Sequence, residues 1–279
     1  MSDAPGPIAP TRTTTIAGLY VEQFLPAGTP KGIVLVTHGY AEHCGRYREL
    51  AHVIVDAGWA VMTYDVRGHG QSPGLRGFIE RFDLYLDDLR AMIRAARELA
   101  PGAPLVLVGH SHGSLITLRA LCDDKPPADI KAAIISSPFL ALKLPVPGYK
   151  KVLARIASRV APKLNQPSNL RVEDLTSDLE KQKERLADKL CFDIANSRWF
   201  IESATAQSFV AENASRIAIP TTWLVGGADP LCDAARSKTV ASRVRGASYH
   251  DLVGLRHEVF NEATRGKVFA EVTRVLASA

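Results

Sequence analysis

The chain reads as an α/β fold: a mostly parallel central sheet flanked by helices and interrupted by a helical insertion. Three observations predict it. Short apolar runs bounded by Gly and Pro recur, helix-period segments lie between them, and the alternation pauses once for roughly 80 residues before resuming.

The apolar runs lie at 33–36, 60–64, 105–108, 132–135 and 222–225. Each is predominantly apolar rather than alternating, the pattern of a strand covered on both faces. Helical patterns near 46–57, 82–100 and 113–123 separate them, so strand, helix and strand repeat as in a parallel sheet. Residues 1–14, rich in Pro, Thr and small side chains, predict a loose N-terminal arm. The core is expected at 15–138 and 216–279. The segment 139–215 is too long for a crossover or a plain loop, and is expected to be an insertion with its own structure. Within it, residues 149–161 put Tyr149, Val152, Leu153, Ile156 and Val160 on one helical face, with Lys150, Lys151, Arg155 and Arg159 largely on the other. Further helices are expected at 177–189 and 196–212, and a last strand and helix near 247–253 and 264–277 close the core.

Bulk properties exclude several classes of function. Of 279 residues, 46% are hydrophobic and 23% charged, which suits a globular chain and neither a fibrous nor a disordered one. The formal charge of +5 comes from Lys and Arg spread along the chain, whereas nucleic-acid binders gather theirs in a stripe or tail, so no nucleic-acid partner is expected. Cys44, Cys122, Cys191 and Cys232 form no CxxC pair and no metal-ligand spacing, which predicts reduced thiols. The first residues have neither a basic start nor an apolar run, and nowhere do 18 apolar residues run together, so a cytoplasmic location is expected. No phosphate-cradling loop, dinucleotide fingerprint or metal motif appears, so neither cofactor nor metal is expected.

The chemistry centres on Gly109-His110-Ser111-His112-Gly113, which follows an apolar strand and opens a helical segment. A serine on a strained strand-to-helix turn is lifted above the sheet edge, and a side chain at either flanking glycine would crowd the neighbouring backbone. There the positive end of the helix and the His112 N–H face the charge that develops during attack on a carbonyl. A serine hydroxyl needs a base, and the base needs a third group to fix its tautomer. Asp229, in Gly226-Gly227-Ala228-Asp229-Pro230 just after a strand, suits that orienting role, with Asp233 as its rival. His257, after the last strand and before the last helix, suits the base, with His250 as its rival; His110 and His112 flank the serine too closely to reach round to it. His38-Gly39-Tyr40 ends the first central strand, and its loop is expected beside Ser111 with the Tyr40 N–H as second oxyanion donor. The stretch 65–72 reads as a structural turn whose polar groups bond locally.

Together the segments 38–47 and 64–70, the Ser111 elbow, Gly227-Ala228-Asp229 and Arg256-His257-Glu258 resemble the monoacylglycerol lipase and lysophospholipase group of α/β-hydrolases. The resemblance spans the core. It implies a triad of Ser111, His257 and Asp229 and oxyanion N–H groups at Tyr40 and His112. Two positions depart from the family pattern: His112 stands where Met is frequent, and Tyr40 where a small residue is common. Both groups would act through the backbone, so the chemistry is expected to survive while the pocket changes shape. The leading expectation is a carboxylic ester hydrolase on single-chain lipid esters, monoacylglycerol or lysophospholipid, working through an acyl-enzyme under a cap formed by 139–215. The cap's basic helix would give transient membrane-surface contact. The alternatives are an esterase, lactonase or amidase on a small soluble substrate, and a noncatalytic binding protein of the same fold.

Overall fold

The computed structural model describes residues 4–168 and 170–279. It begins with a hairpin, β1 (Arg12–Ile16) and β2 (Leu19–Phe24), turned through Ala17 and Gly18 at φ of 50° and 81°. Two central residues at positive φ match the twist of flanking strands. β1 starts inside the stretch expected as a loose arm to residue 14. The β-branched run Thr13-Thr14-Thr15 finds a ladder partner there, in register from Arg12↔Gln23 to Ile16↔Leu19.

The chain continues through β3 (Ile33–Thr37), α1 (Arg48–Asp56), β4 (Ala60–Tyr64), α2 (Asp83–Leu99), β5 (Leu105–His110), α3 (His112–Leu121) and β6 (Ile130–Ser136). Next come α4 (Gly148–Val160), β7 (Asn165–Pro167), α5 (Val172–Leu175), α6 (Leu179–Ala187), β8 (Ile194–Asn196) and α7 (Ser197–Asn213). β9 (Thr221–Gly226), α8 (Ala234–Ala241), β10 (Ala247–Leu252) and α9 (Arg265–Ala277) return to the main body. Among the described residues eight strands form one sheet in the order β1-β2-β4-β3-β5-β6-β9-β10. It is parallel from β4 to β10 and antiparallel where β2 meets β1 and β4.

The predominant apolarity of the central strands has a direct cause, since helices cover both faces. Val34, Val36, Val61, Val108 and Leu224 pack with Leu50 and Ile54 of α1 and Phe269 and Val272 of α9. Leu35, Met62, Leu107, Ile135 and Trp223 point the other way, toward Leu89 and Met92 of α2 and Leu115 and Leu118 of α3. The sheet is therefore rigid, and the loops at the carboxyl ends of β3, β5 and β9 inherit that rigidity.

The segment between β6 and β9 is fastened to this body by a buried ionic cluster. Lys181 Nζ lies 2.6 Å from Glu49 Oε1 of α1, Arg265 Nε 2.5 Å from Glu49 Oε2, and Arg265 Nη1 2.9 Å from Asp178 Oδ2. Each charge is paired, which burial requires. α4 behaves differently. It lies against α7, with Ser158 buried and Ala154 and Ala157 half-buried, while Tyr149, Val152, Leu153, Ile156 and Val160 are each more than half exposed.

Leu35 is fully buried at the centre of the sheet, so Leu35→Ala leaves a cavity that cannot collapse. Chemical denaturation should read a loss of about 2–5 kcal/mol in unfolding free energy with an unchanged m-value.

Candidate active site

β5 delivers Ser111 into the turn before α3 at φ 50° and ψ −112°, outside the regions most side chains adopt. Sterics explain the flanking glycines. A Cβ on Gly109 would meet Ser114 Cα at 2.7 Å, and one on Gly113 would meet the Thr37 and His38 carbonyls at 2.1 and 2.5 Å. The elbow can sit tightly against β3 because neither position carries a side chain. Ser111 N–H donates to Ser136 O at 2.9 Å, and Ser111 O accepts from Leu115 N and Phe139 N at 3.1 Å each, so the strained residue is bonded on both sides. Among the described residues its hydroxyl takes part in no hydrogen bond, and the residue lines a cavity of about 250 Å³ shared with His257.

His257 and Asp229 come together as expected partners: Nδ1 lies 2.7 Å from Asp229 Oδ2, both side chains being buried. Asp229 Oδ1 accepts from Leu231 N and Cys232 N at 2.8 and 3.0 Å, which fixes the carboxylate and leaves Oδ2 for the imidazole. Burial alone would raise the Asp229 pKa, but His257 and these two N–H groups hold it below the usual carboxylate value. Burial would also lower that of His257; the Asp229 carboxylate overrides it and, with the Cys232 sulfur against the ring, holds it well above the ordinary imidazole value. The rivals lie elsewhere. Asp233 caps α8, accepting from Arg236 N at 2.9 Å, and His250 sits on β10 beside Ser248 at 3.0 Å and Glu271 at 3.9 Å.

The loop after β3 runs beside the serine, close enough that a Cβ on Gly39 would meet Ser111 Cβ at 3.2 Å. Among the described residues the N–H groups of Tyr40 and His112 have no acceptor. Glu42 secures the loop by accepting from Gly39 N at 2.6 Å and Tyr47 Oη at 2.7 Å. His38 spans it: Nδ1 bonds Gly39 O at 2.7 Å and Nε2 bonds Val66 N at 2.8 Å, which defines an Nδ1–H tautomer. The 65–72 turn bonds locally, Asp65 Oδ2 to Gln71 N at 2.6 Å, and also reaches across the molecule, Oδ1 to Cys44 N at 2.8 Å.

The two departures from the family pattern occupy one aromatic cluster. Tyr40 stacks on Trp199 of α7 with centroids 3.7 Å apart, and Trp199 Nε1 donates to His112 Nε2 at 3.1 Å. Burial pushes the His112 pKa down to about 3, so the ring is neutral and accepts that bond. Phe139 also stacks on Trp199, with centroids 5.6 Å apart. His110, next to the serine, bonds Ser136 Oγ at 2.9 Å and is lowered by burial to about 4. The rest of the cavity is mostly apolar, with Leu142, Leu170, Leu175, Phe200 and Leu231, and its wall also includes Ser168 and the charged Glu42, Arg185 and Glu258.

Sequence reasoning missed a buried ionic chain beneath the site. Arg46 Nε lies 3.2 Å from Glu42 and Nη2 2.5 Å from Glu258, the neighbour of His257. Arg185 of α6 lies 3.7 Å from Glu258. The i, i+4 spacing of Glu42 and Arg46 was the available signal. Among the described residues two groups bring His, Asp and Cys ligand atoms within 4.8 Å, Asp229–Cys232–His257 and His43–Asp188–Cys191. The first is engaged by the His257–Asp229 bond, and in the second His43 Nε2 bonds Asp188 at 2.6 Å.

A mostly parallel sheet with a strained serine at the carboxyl end of a central strand, and an Asp–His pair on the loops after β9 and β10, defines an α/β-hydrolase. Comparison with known proteins narrows the class: the chain matches the serine aminopeptidase (S33) family over residues 28–264 and belongs to it. It is a serine hydrolase of the monoacylglycerol lipase-like group. Monoacylglycerol lipase of Mycolicibacterium smegmatis is 28% identical over 91% of this chain and 90% of its own. Phospholipase YtpA of Bacillus subtilis is 29% identical over 87% of this chain and 94% of its own. Among solved structures, a monoacylglycerol lipase from Paleococcus ferrophilus superposes with a TM-score of 0.83 at 29% identity, over 93% of this chain and 98% of its own.

A pH titration followed by NMR of the histidine rings tests the electrostatics. His257 should lose its proton above the ordinary imidazole range, and Asp229→Asn should bring that pKa down, because burial then acts without the opposing carboxylate.

Proposed function

We propose that the chain hydrolyses carboxylic esters of single-chain lipids, monoacylglycerol foremost and lysophospholipid next. One observation carries the reading: Ser111 and the Asp229-bonded His257 line the same apolar cavity. A polar reacting centre under an apolar wall suits an ester whose acyl part is a hydrocarbon. The relatives named as monoacylglycerol lipase and phospholipase support the substrate class.

In this reading the reactive form has His257 neutral, above its raised pKa, and Ser111 Oγ attacks the ester carbonyl while His257 Nε2 takes its proton. Asp229 holds the Nδ1–H tautomer and stabilises the imidazolium. The carbonyl oxygen, now carrying the charge, accepts from the Tyr40 and His112 N–H groups, which the loop after β3 and the start of α3 hold ready. Collapse releases the alcohol, protonated by His257, and leaves an acyl-serine. Water, deprotonated by the same imidazole, then frees the fatty acid and restores Ser111. No step calls for a metal or a cofactor. Residues 139–215 act as a cap, supplying Phe139, Leu142, Leu170, Leu175, Trp199 and Phe200 to the cavity wall.

A second reading, a small soluble ester, lactone or amide, is favoured by the cavity's size. About 250 Å³ lies below the usual ligand-pocket range of roughly 300–1,000 Å³. A panel of 1-monoacylglycerols of graded chain length, lysophosphatidylcholine and p-nitrophenyl esters separates the two. Long-chain monoacylglycerol turnover that Ser111→Ala abolishes is the expected result; activity confined to short esters would select the second reading, and turnover surviving in Ser111→Ala would remove the nucleophile assignment.

The cap also contacts membranes in this proposal. Among the described residues no helix is long and apolar enough to cross a bilayer. α4 instead presents Tyr149, Val152, Leu153, Ile156 and Val160 as one exposed stripe, flanked by exposed Lys150, Arg155 and Arg159. An apolar stripe beside cations fits an anionic lipid surface, each cation adding about 1 kcal/mol near it. Vesicles containing phosphatidylserine should retain the protein in a flotation assay, Val152→Glu with Ile156→Glu should release it, and p-nitrophenyl ester hydrolysis should stay within about twofold.

A further inference from the structure

The residue after Tyr40 carries an unexplained strain. Ala41 is fully buried at φ 64°, a left-handed conformation that strains a residue with a Cβ. It follows Tyr40, whose N–H has no acceptor among the described residues, in the loop that runs beside Ser111, so whatever holds Ala41 also constrains the backbone at Tyr40. Two hydrogen bonds converge on its carbonyl, and both donors come from the segment between β6 and β9: Arg185 Nη2 at 3.1 Å and Phe192 N at 3.2 Å. The same segment grips the histidine loop, where Leu175 O accepts from Glu258 N at 2.7 Å and Arg185 Nη1 lies 3.7 Å from Glu258. Arg185 is buried and touches both loops at once.

We infer that Arg185 is a positioning residue for the chemical step, through which the inserted segment holds the strained oxyanion loop in its competent shape as well as covering the cavity. The inference rests on the ester-hydrolase reading and goes beyond it. A cap that merely binds substrate would alter affinity for long acyl chains and leave a short ester untouched. A clamp on Ala41 acts on every substrate, because the Tyr40 N–H serves any carbonyl oxygen.

The strain supplies the test. Glycine adopts positive φ without penalty, so Ala41→Gly removes what the Arg185 bond has to oppose. Turnover of p-nitrophenyl acetate, normalised to active sites titrated with a fluorophosphonate, is measured for the wild type, Arg185→Met, Arg185→Lys and Arg185→Met in an Ala41→Gly background. Normalisation separates a per-site rate from loss of folded protein. Arg185→Met should lower kcat on the order of 10- to 100-fold, less than or comparable to outright removal of an oxyanion donor. KM should stay within about threefold. Arg185→Lys, which keeps a cation and a donor, should fall between and carries the comparison if the Met variant does not fold. With Ala41→Gly the penalty for Arg185→Met should shrink to a few-fold, the non-additivity expected of residues that act on one feature. Unchanged kcat per titrated site, or an equal penalty in both backgrounds, would overturn the inference while leaving the function intact. Absence of both labelling and ester turnover in the wild type would overturn the ester-hydrolase reading and this inference with it.

Discussion

The backbone of Ser111 is the constraint on which the site depends. At φ 50° the residue is strained, and that strain turns the chain from β5 into α3 within a single residue. The turn is affordable because Gly113 lets α3 approach the Thr37 and His38 carbonyls and Gly109 lets β5 approach Ser114. Those contacts draw β3 and its loop against the elbow. A looser elbow would separate the N–H groups of Tyr40 and His112, which have no acceptor among the described residues.

Around this point the polar groups are sorted by function. Beside Ser111, His110 and His112 are both held uncharged by burial, so the Asp229–His257 pair is the ionic element at this edge. Further full charges are paired with one another, Arg46 bridging Glu42 and Glu258 and Arg185 lying near Glu258, and three of the four residues reach the cavity wall. Such pairing leaves no lone charge among the four and ties the loop after β3 to the loop that carries His257. Buried ion pairs contribute little net stability compared with apolar packing, so what this chain supplies is geometry.

The parts of the fold legible in the sequence were those written locally. The central strands announce themselves because each is a predominantly apolar run, and the elbow because its glycines and serine are adjacent. Asp229 and His257 could be named because strand order restricts which loops reach the serine's edge. β1 and β2 escaped notice: their turn is Ala17-Gly18 rather than an Asn-Gly pair, and β2 buries Glu22 against Arg48, so it lacks the apolar run of its neighbours. The Trp199–His112 bond and the clamp of Arg185 on Ala41 join residues far apart in the chain, and no local pattern encodes such pairs. α4 shows the opposite limit, since its amphipathic pattern was plain while what covers its apolar stripe was not.

The insertion also bears on how the chain reaches its native state. β6 and β9 are register neighbours, Ala133 opposite Thr221, although roughly 80 residues of inserted chain separate them. Closing so long a loop delays their pairing relative to the hairpin and the β3–β5 crossovers. During synthesis the nucleophile's strand and helix therefore emerge and pack first, while the strands that carry Asp229 and His257 dock last. The nascent protein thus holds Ser111 before the bonded pair of Asp229 and His257 is in place, and the cavity they share is finished only with completion of the sheet.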